Sequence, residues 1–200
     1  MPNWCNNYIE ICGPTDKIKS LWKKAQHNWE NDQGGLLQAI VPMPKALQDT
    51  VSPSPKDGSQ PLVDGFTDWY EWRICNWGTK WDINDSSFDI CELDDIMDHG
   101  NGTSTISGWF DTAWSPPVAA YNNFLAKNKD IRIYATYEES GADYAGFYDN
   151  GVDKYLEDVS LICEKVYSKK IPFEKQSELF QELNKKLGLV ESWYGRKNYV

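Results

Sequence analysis

Histidine is almost missing from this chain: His27 and His99 are its only two, one in a helical stretch and one in a glycine-rich turn. No Cys-x-x-Cys accompanies them, so the spacings that hold structural zinc are absent, as is a base for a Ser/His or Cys/His nucleophile. Gly-rich phosphate loops closing on Lys-Ser/Thr and Gly-x-Ser-x-Gly elbows are lacking too. Asp82-Ile83-Asn84-Asp85-Ser86 opens like a calcium loop, but Ser87 stands where the sharp turn needs glycine and Leu93 where the closing glutamate belongs. No metal, no cofactor and no recognisable catalytic machinery is expected.

Positive charge is also short. Twenty Lys and Arg face thirty Asp and Glu, a formal net charge of −10, which opposes binding to a phosphate backbone and argues against nucleic acid as a direct partner. The acids form short clusters, such as Glu92, Asp94, Asp95 and Asp98, that suit a solvated surface. No apolar run is long enough to span a bilayer, and Met1-Pro2-Asn3-Trp4 has neither the basic nor the apolar part of a leader, so a cytoplasmic protein without membrane contact is expected. Five cysteines, Cys5, Cys12, Cys75, Cys91 and Cys163, are odd in number and scattered, as reduced thiols would be. Sequons at Asn84 and Asn101 then carry no meaning. Oligomeric state is left open.

What is abundant is tryptophan, ten residues in 200. With 40% hydrophobic and 25% charged residues the composition is otherwise that of an ordinary globular chain. Indoles combine large apolar area with a polar edge, so the surplus fits a heavy core, a stacking pocket or a partner surface.

Asn7 to Cys12 alternates, with Ile9 and Ile11 on one face and Tyr8 and Glu10 on the other, and Gly13-Pro14 ends this first strand. Thr15 is the expected cap of a helix carrying Ile18, Leu21, Trp22, Ala25 and Trp29 at helical spacing. Leu36 to Val41 is a short apolar run, and the Pro/Ser-rich stretch near 50–61 reads as a surface insertion. Asp68 and Glu71 resemble a capping box for a short helix bearing Trp69 and Trp72, which stops near Gly78. Trp81 to Glu92 is expected to be extended and to join the alternating strand Thr103–Thr112 through a hairpin at His99-Gly100-Asn101-Gly102. Ser115 as cap and Pro116 at the first position open a second helix through Val118, Tyr121 and Leu125, and Ile131 to Tyr137 is a further strand. A short strand at Ala145–Tyr148, a longer one at Val159–Val166 and a helix from Pro172 to Leu187 follow. The order β, α, β, β, α, β is the split βαβ of a ferredoxin-like α+β fold, an antiparallel sheet with helices on one face. Residues 1–151 form that core and 152–200 a C-terminal extension packed on it.

Five stretches, MPNWCNNYIEICG at 1–13, VPMP at 41–44, NWGTKWD at 76–82, FDTAWSPP at 110–117 and YEESGADYAGFYDNG at 137–151, occur in one order. Together they resemble the YubB-like ferredoxin-fold family carried by bacteriophages and conjugative plasmids. The resemblance ends near Gly151. It implies the fold and a mobile-element setting, and brings no reaction with it.

Two corners hold the candidate site. Asn76, Trp77, Thr79, Lys80, Trp81 and Asp82 lie at a helix-to-strand junction where Gly78 permits positive φ. One reading gives Trp77 or Trp81 a stacking role and Lys80 an anionic group to hold; the other makes the indoles core and pairs Lys80 with a carboxylate. Thr112, Trp114 and Ser115 end a strand and open a helix, where free N–H groups favour an anion or need only a cap. Glu138 and Glu139, beside the turn Ser140-Gly141, are the most catalytic-looking carboxylates, although neighbours on a strand face opposite ways and make no acid/base pair with each other; the other reading is a turn with exposed acids. The leading functional expectation is a non-enzymatic binder that holds a small, flat, anionic molecule, such as a nucleotide-derived metabolite or signal, in an aromatic cleft; the mobile-element setting that the resemblance implies would make it a host molecule and sequestering a defence signal one use. An acidic protein inhibitor of a host enzyme or nucleic-acid-binding protein is the alternative, and a hydrolase using Glu138 or Asp82 comes third.

Overall fold

The computed structural model of the chain describes residues 3–83 and 91–166, with Pro172, Lys175 and Glu178 beyond them. The opening alternation runs further than expected. Strand β1 spans Trp4–Pro14, and every second residue from Cys5 to Gly13 is buried. It feeds directly into α1, Thr15–Glu30, whose Ile18, Leu21, Trp22 and Ala25 are buried as the spacing requires. Thr15 is not the cap: Pro14 holds that position, and the Thr15 hydroxyl instead meets Ser104 Oγ at 2.9 Å. Two short helices follow, α2 at Leu36–Ile40 and α3 at Lys45–Gln48. After the expected irregular insertion, α4 covers Trp69–Asn76, with the Asp68 carboxylate accepting from the N–H groups of Tyr70 and Glu71, both at 3.0 Å.

Strands β2 (Cys91–Leu93) and β3 (Met97–Asp98) both pair with β4 (Thr103–Ala113), the latter through the expected hairpin. Trp81–Ile83 is irregular rather than extended, and residues 84–90 lie outside the described part. Helix α5 spans Val118–Lys127. It starts later than Ser115 because a residue before proline avoids the helical region, which excludes both Ser115 and Pro116. The N–H of buried Ala120, in its first turn, is taken by Trp77 O at 3.2 Å. Strands β5 (Arg132–Glu139), β6 (Tyr144–Asp149) and β7 (Val152–Glu157) then form an antiparallel meander.

β7 was not expected. Its signal is the two-residue turn Asn150-Gly151, whose φ values of 46° and 95° suit a tight hairpin. The expected boundary at residue 151 coincides with this turn, so the chain beyond it continues the same sheet. The expected strand at Val159–Val166 is instead helix α6. Val159, Ile162 and Val166 recur at helical spacing, and Asp143 caps the helix by accepting from Ser160 N at 2.8 Å and Ser160 Oγ at 2.6 Å. The helix expected over Pro172–Leu187 falls outside the described residues except for Pro172, Lys175 and Glu178, all exposed.

The chain is thus α+β, with a seven-stranded antiparallel sheet in the order β2-β4-β1-β5-β6-β7 and β3 also on β4. One face carries Ile9, Ile11, Ile106, Phe110, Ile133, Ala135 and Tyr148 into a single cluster with α1 and α5. On the other, the rings of Tyr8 and the exposed Trp109 meet at 5.1 Å, tilted by 52°. No helix among the described residues is long and apolar enough to cross a membrane.

Asp82 ties this arrangement together. Fully out of solvent, its carboxylate accepts from Gly35 N (2.7 Å), Leu37 N (2.8 Å), Gln38 N (2.8 Å) and Ile83 N (2.7 Å). It therefore caps α2 from a distant part of the chain. Burial pushes its carboxyl up to about 6, against the pull of those N–H donors. A carboxamide at this position keeps one acceptor oxygen but turns an NH₂ toward the remaining N–H groups. Asp82→Asn is expected to lower stability by roughly 2–4 kcal/mol, since each unpartnered buried donor costs about 1–3 kcal/mol; urea unfolding with an unchanged m-value checks this.

Candidate functional site

The two corners singled out in the sequence meet. Gly78 turns the chain after α4 at φ 87°, and three side-chain hydroxyls then fasten the β4–α5 corner. Thr79 Oγ1 donates to Ala113 O at 2.9 Å, Tyr144 Oη to Trp114 O at 2.8 Å, and Thr112 Oγ1 to Ser115 O at 2.8 Å. Ser115 Oγ reaches back to Gly78 O at 2.6 Å, and Trp114 N donates to Asn3 O at 2.9 Å. Every carbonyl from Ala113 to Ser115 thus accepts a hydroxyl.

On this corner sits an aromatic cluster. The Trp81 and Trp114 rings lie 6.4 Å apart and only 23° from parallel, and Trp4 approaches Trp81 at 5.8 Å. Lys80 Nζ lies over these rings, 4.6 Å from the Trp81 centroid, 5.4 Å from Trp114 and 6.0 Å from Tyr70. Among the described residues no carboxylate pairs with Lys80; the described ion pairs are Lys17–Asp130 and Lys19–Asp98, both exposed. Among the described residues Lys80 therefore meets ring faces, whose negative quadrupole attracts an ammonium, rather than the carboxylate that one of the two readings gave it. Trp114 keeps 40% of its surface exposed.

The remaining residues divide by role. Trp77 belongs to the core: it has 0% exposure, its Nε1 donates to Val41 O at 2.8 Å, Trp72 meets it edge-on at 5.7 Å, and Arg73 covers its ring at 4.8 Å. It has no face left for a ligand. Asn76 caps its own helix end by donating to Trp72 O at 2.9 Å, while its carbonyl accepts from Asn123 at 3.0 Å. Thr79, Thr112 and Ser115 hold backbone, and Asp82 is the clamp described above. Glu138 is exposed on β5 in register with Asn6, whose other cross-strand partner is Asp111. Asp111 accepts a short hydrogen bond from Asn6 Nδ2. Glu139 is buried and accepts from Gly141 N at 2.8 Å and Ala142 N at 2.5 Å, so it braces this turn from inside rather than standing exposed on it. Asp82, Asp111 and Glu139 are thus all engaged by N–H donors.

Sequence reasoning missed Trp4, Tyr70 and Tyr144 as members of this cluster. They lie on three separate segments, and only the sheet register and the packing of α4 bring them to one place. Beneath the corner, Cys5 is fully buried, and burial pushes its thiol up to about 12, so it is an inert neighbour of Tyr144 Oη at 4.0 Å.

Core and cluster indoles should respond differently to truncation. Trp77→Ala is expected to destabilise the protein by about 3–5 kcal/mol, the range for deleting a buried aromatic. Trp114→Ala should stay within about 1 kcal/mol of wild type because the side chain is substantially exposed. Chemical denaturation of both variants measures the contrast. No family model, no curated protein and no solved structure matches the chain.

Proposed function

We propose that this chain is a binding protein that takes a small, flat, anionic molecule of the nucleotide-derived kind on its Trp81–Trp114 platform, with Lys80 as the anion contact. The observation that carries this reading is the Lys80 ammonium lying over Trp81, Trp114 and Tyr70 with no described carboxylate beside it. A ring and an anion arriving together would exchange with that ammonium: the ring gains an indole face and the ammonium gains a full negative charge. Stacking on an aromatic side chain is worth about 1–3 kcal/mol per base, and a charge-assisted hydrogen bond about 1.5–3 kcal/mol. A preformed site turns such contacts into micromolar binding.

The sheet supports the fold reading that accompanies this proposal. Neighbouring strands β2, β4, β1 and β5 are all antiparallel, with α1 following β1 and α5 joining β4 to β5, which is the split βαβ pattern extended by β6 and β7. We read it as an enlarged ferredoxin-like sheet. The five motifs support placing the chain with the YubB-like proteins of phages and plasmids, and in that setting the ligand would be a host signal or metabolite and the act its sequestration. The protein-inhibitor reading draws on a different place: Trp109, 54% exposed, stands on the sheet's other face in register with Tyr8 and Glu92, an acidic aromatic surface suited to a basic partner.

Thermal-shift screening against nucleotides and cyclic dinucleotides, with calorimetry on each hit, tests the proposal. Lys80→Met should weaken anionic ligands tenfold or more and neutral aromatic ligands far less, and Trp114→Ala should weaken both. Absence of binding across the panel, together with stoichiometric capture of a basic host protein that Trp109→Ala abolishes, would replace this reading by the inhibitor.

A further inference from the structure

A bulky residue rarely adopts a left-handed backbone conformation, because its Cβ crowds the following carbonyl. Trp114 does so, at φ 68°. Glycine is the residue that this φ favours, and the sequence places there one of its more exposed indoles. The backbone is held on both sides: the N–H donates to Asn3 O at 2.9 Å, and the carbonyl accepts from Tyr144 Oη at 2.8 Å. Strain of this kind persists only where the surroundings over-determine it, and it collects at binding and catalytic sites.

We infer that the strained corner exists to present the Trp114 indole as a ligand contact, and that Tyr144 is the positioning residue that fixes it. The inference rests on the binding reading above and adds its mechanism of preorganisation. Tyr144 reaches this corner from β6, two strands away from β1 in the sheet order and three from β4, so its hydroxyl couples the meander end of the sheet to the platform. The ring itself is steadied by Tyr137 at 6.2 Å and Tyr155 at 6.3 Å, which Tyr144→Phe leaves in place. The hydroxyl is thus separable from the ring.

The test combines a stability cycle with a local probe, and neither needs a ligand. Tyr144→Phe should lower Tm by roughly 2–4 °C, the shift that about 1 kcal/mol produces in a chain of this size. In the Trp114→Gly background the same change should lower it by less than half as much, because glycine holds φ 68° without a pin. In protein labelled with 5-fluorotryptophan, the Trp114 resonance, assigned by its loss in Trp114→Gly, should shift or broaden in Tyr144→Phe while the Trp77 resonance stays put. Equal Tm losses in the two backgrounds, a Trp114→Gly variant that does not fold, or an unmoved Trp114 resonance would each overturn the inference, making Tyr144 or Trp114 an ordinary fold element. A nucleotide found in the screen should bind Tyr144→Phe about three- to tenfold more weakly. Equal affinity for the two proteins would also overturn it, whereas a screen without any hit speaks against the binding reading and leaves the stability cycle to decide the strain.

Discussion

A single buried carboxylate sets the geometry on which the rest of this protein depends. Asp82 gathers the N–H groups of Gly35, Leu37 and Gln38 from one part of the chain and that of Ile83 from its own. Gly35 has to be glycine: a Cβ there would meet Ile83 O and Trp29 Nε1, each at 2.4 Å. Trp29 in turn donates to Ile83 O at 3.2 Å, so the end of α1, the start of α2 and residues 82–83 form one joint. Lys80 and Trp81 are the residues just before it. Their placement beside Trp114 follows from a carboxyl group buried for structural reasons and partnered by donors that would otherwise be orphaned at a helix start.

The opposite side of the platform obeys a different rule. At Trp114 the backbone is strained rather than relaxed, and the left-handed conformation costs a residue with a Cβ about 1–2 kcal/mol. A net hydrogen bond contributes about 0.5–1.5 kcal/mol, so the hydroxyls of Thr79, Thr112 and Tyr144, with Ser115 on Gly78 O, are together enough to hold that corner. The platform joins a relaxed, clamped half carrying Lys80 and Trp81 to a strained, pinned half carrying Trp114. Rigidity on both sides limits the ordering entropy left for a ligand to overcome, which is where small sites gain affinity.

Much of the fold was legible in the sequence because local and tertiary preferences agree there. The period-two pattern of Ile9 and Ile11, the helical spacing from Ile18 to Ala25, the Asp68 cap and the hairpin at His99–Gly102 all depend on neighbours in sequence. The errors occur where a distant group decides. α6 was read as a strand because its apolar run suits either period, and Asp143 supplies the cap that settles it. Ser115 resembled a cap, but Trp77 O satisfies the Ala120 N–H of α5 from another helix. At the site the sequence marked residues that the fold brings to one corner, without showing what each does there. Spacing marked Thr79, Asp82, Thr112 and Ser115 as special, yet it cannot distinguish a group that touches a ligand from one that holds the backbone beneath it. Trp77 and Trp81, four residues apart in a single motif, show the limit: one is sealed under Arg73 and the other shares a surface with Trp114.

Charge acts on this platform at two length scales. A net charge of −10 repels anions over the whole surface, but ions screen that field within about 8 Å at physiological ionic strength. Close to the indoles lies the Lys80 ammonium, at 4.6 and 5.4 Å from their centroids. A compact anion small enough to lie within that short range meets one positive charge and two ring faces. A polyanion of many nucleotides cannot lie there without running its remaining phosphates along the acidic surface, where each one adds repulsion and no counterions are released by basic side chains to favour binding. On the binding proposal, the same acidic composition that argues against nucleic acid would sharpen selection for small ligands: the local cation would supply attraction, and the global charge would set an upper limit on size.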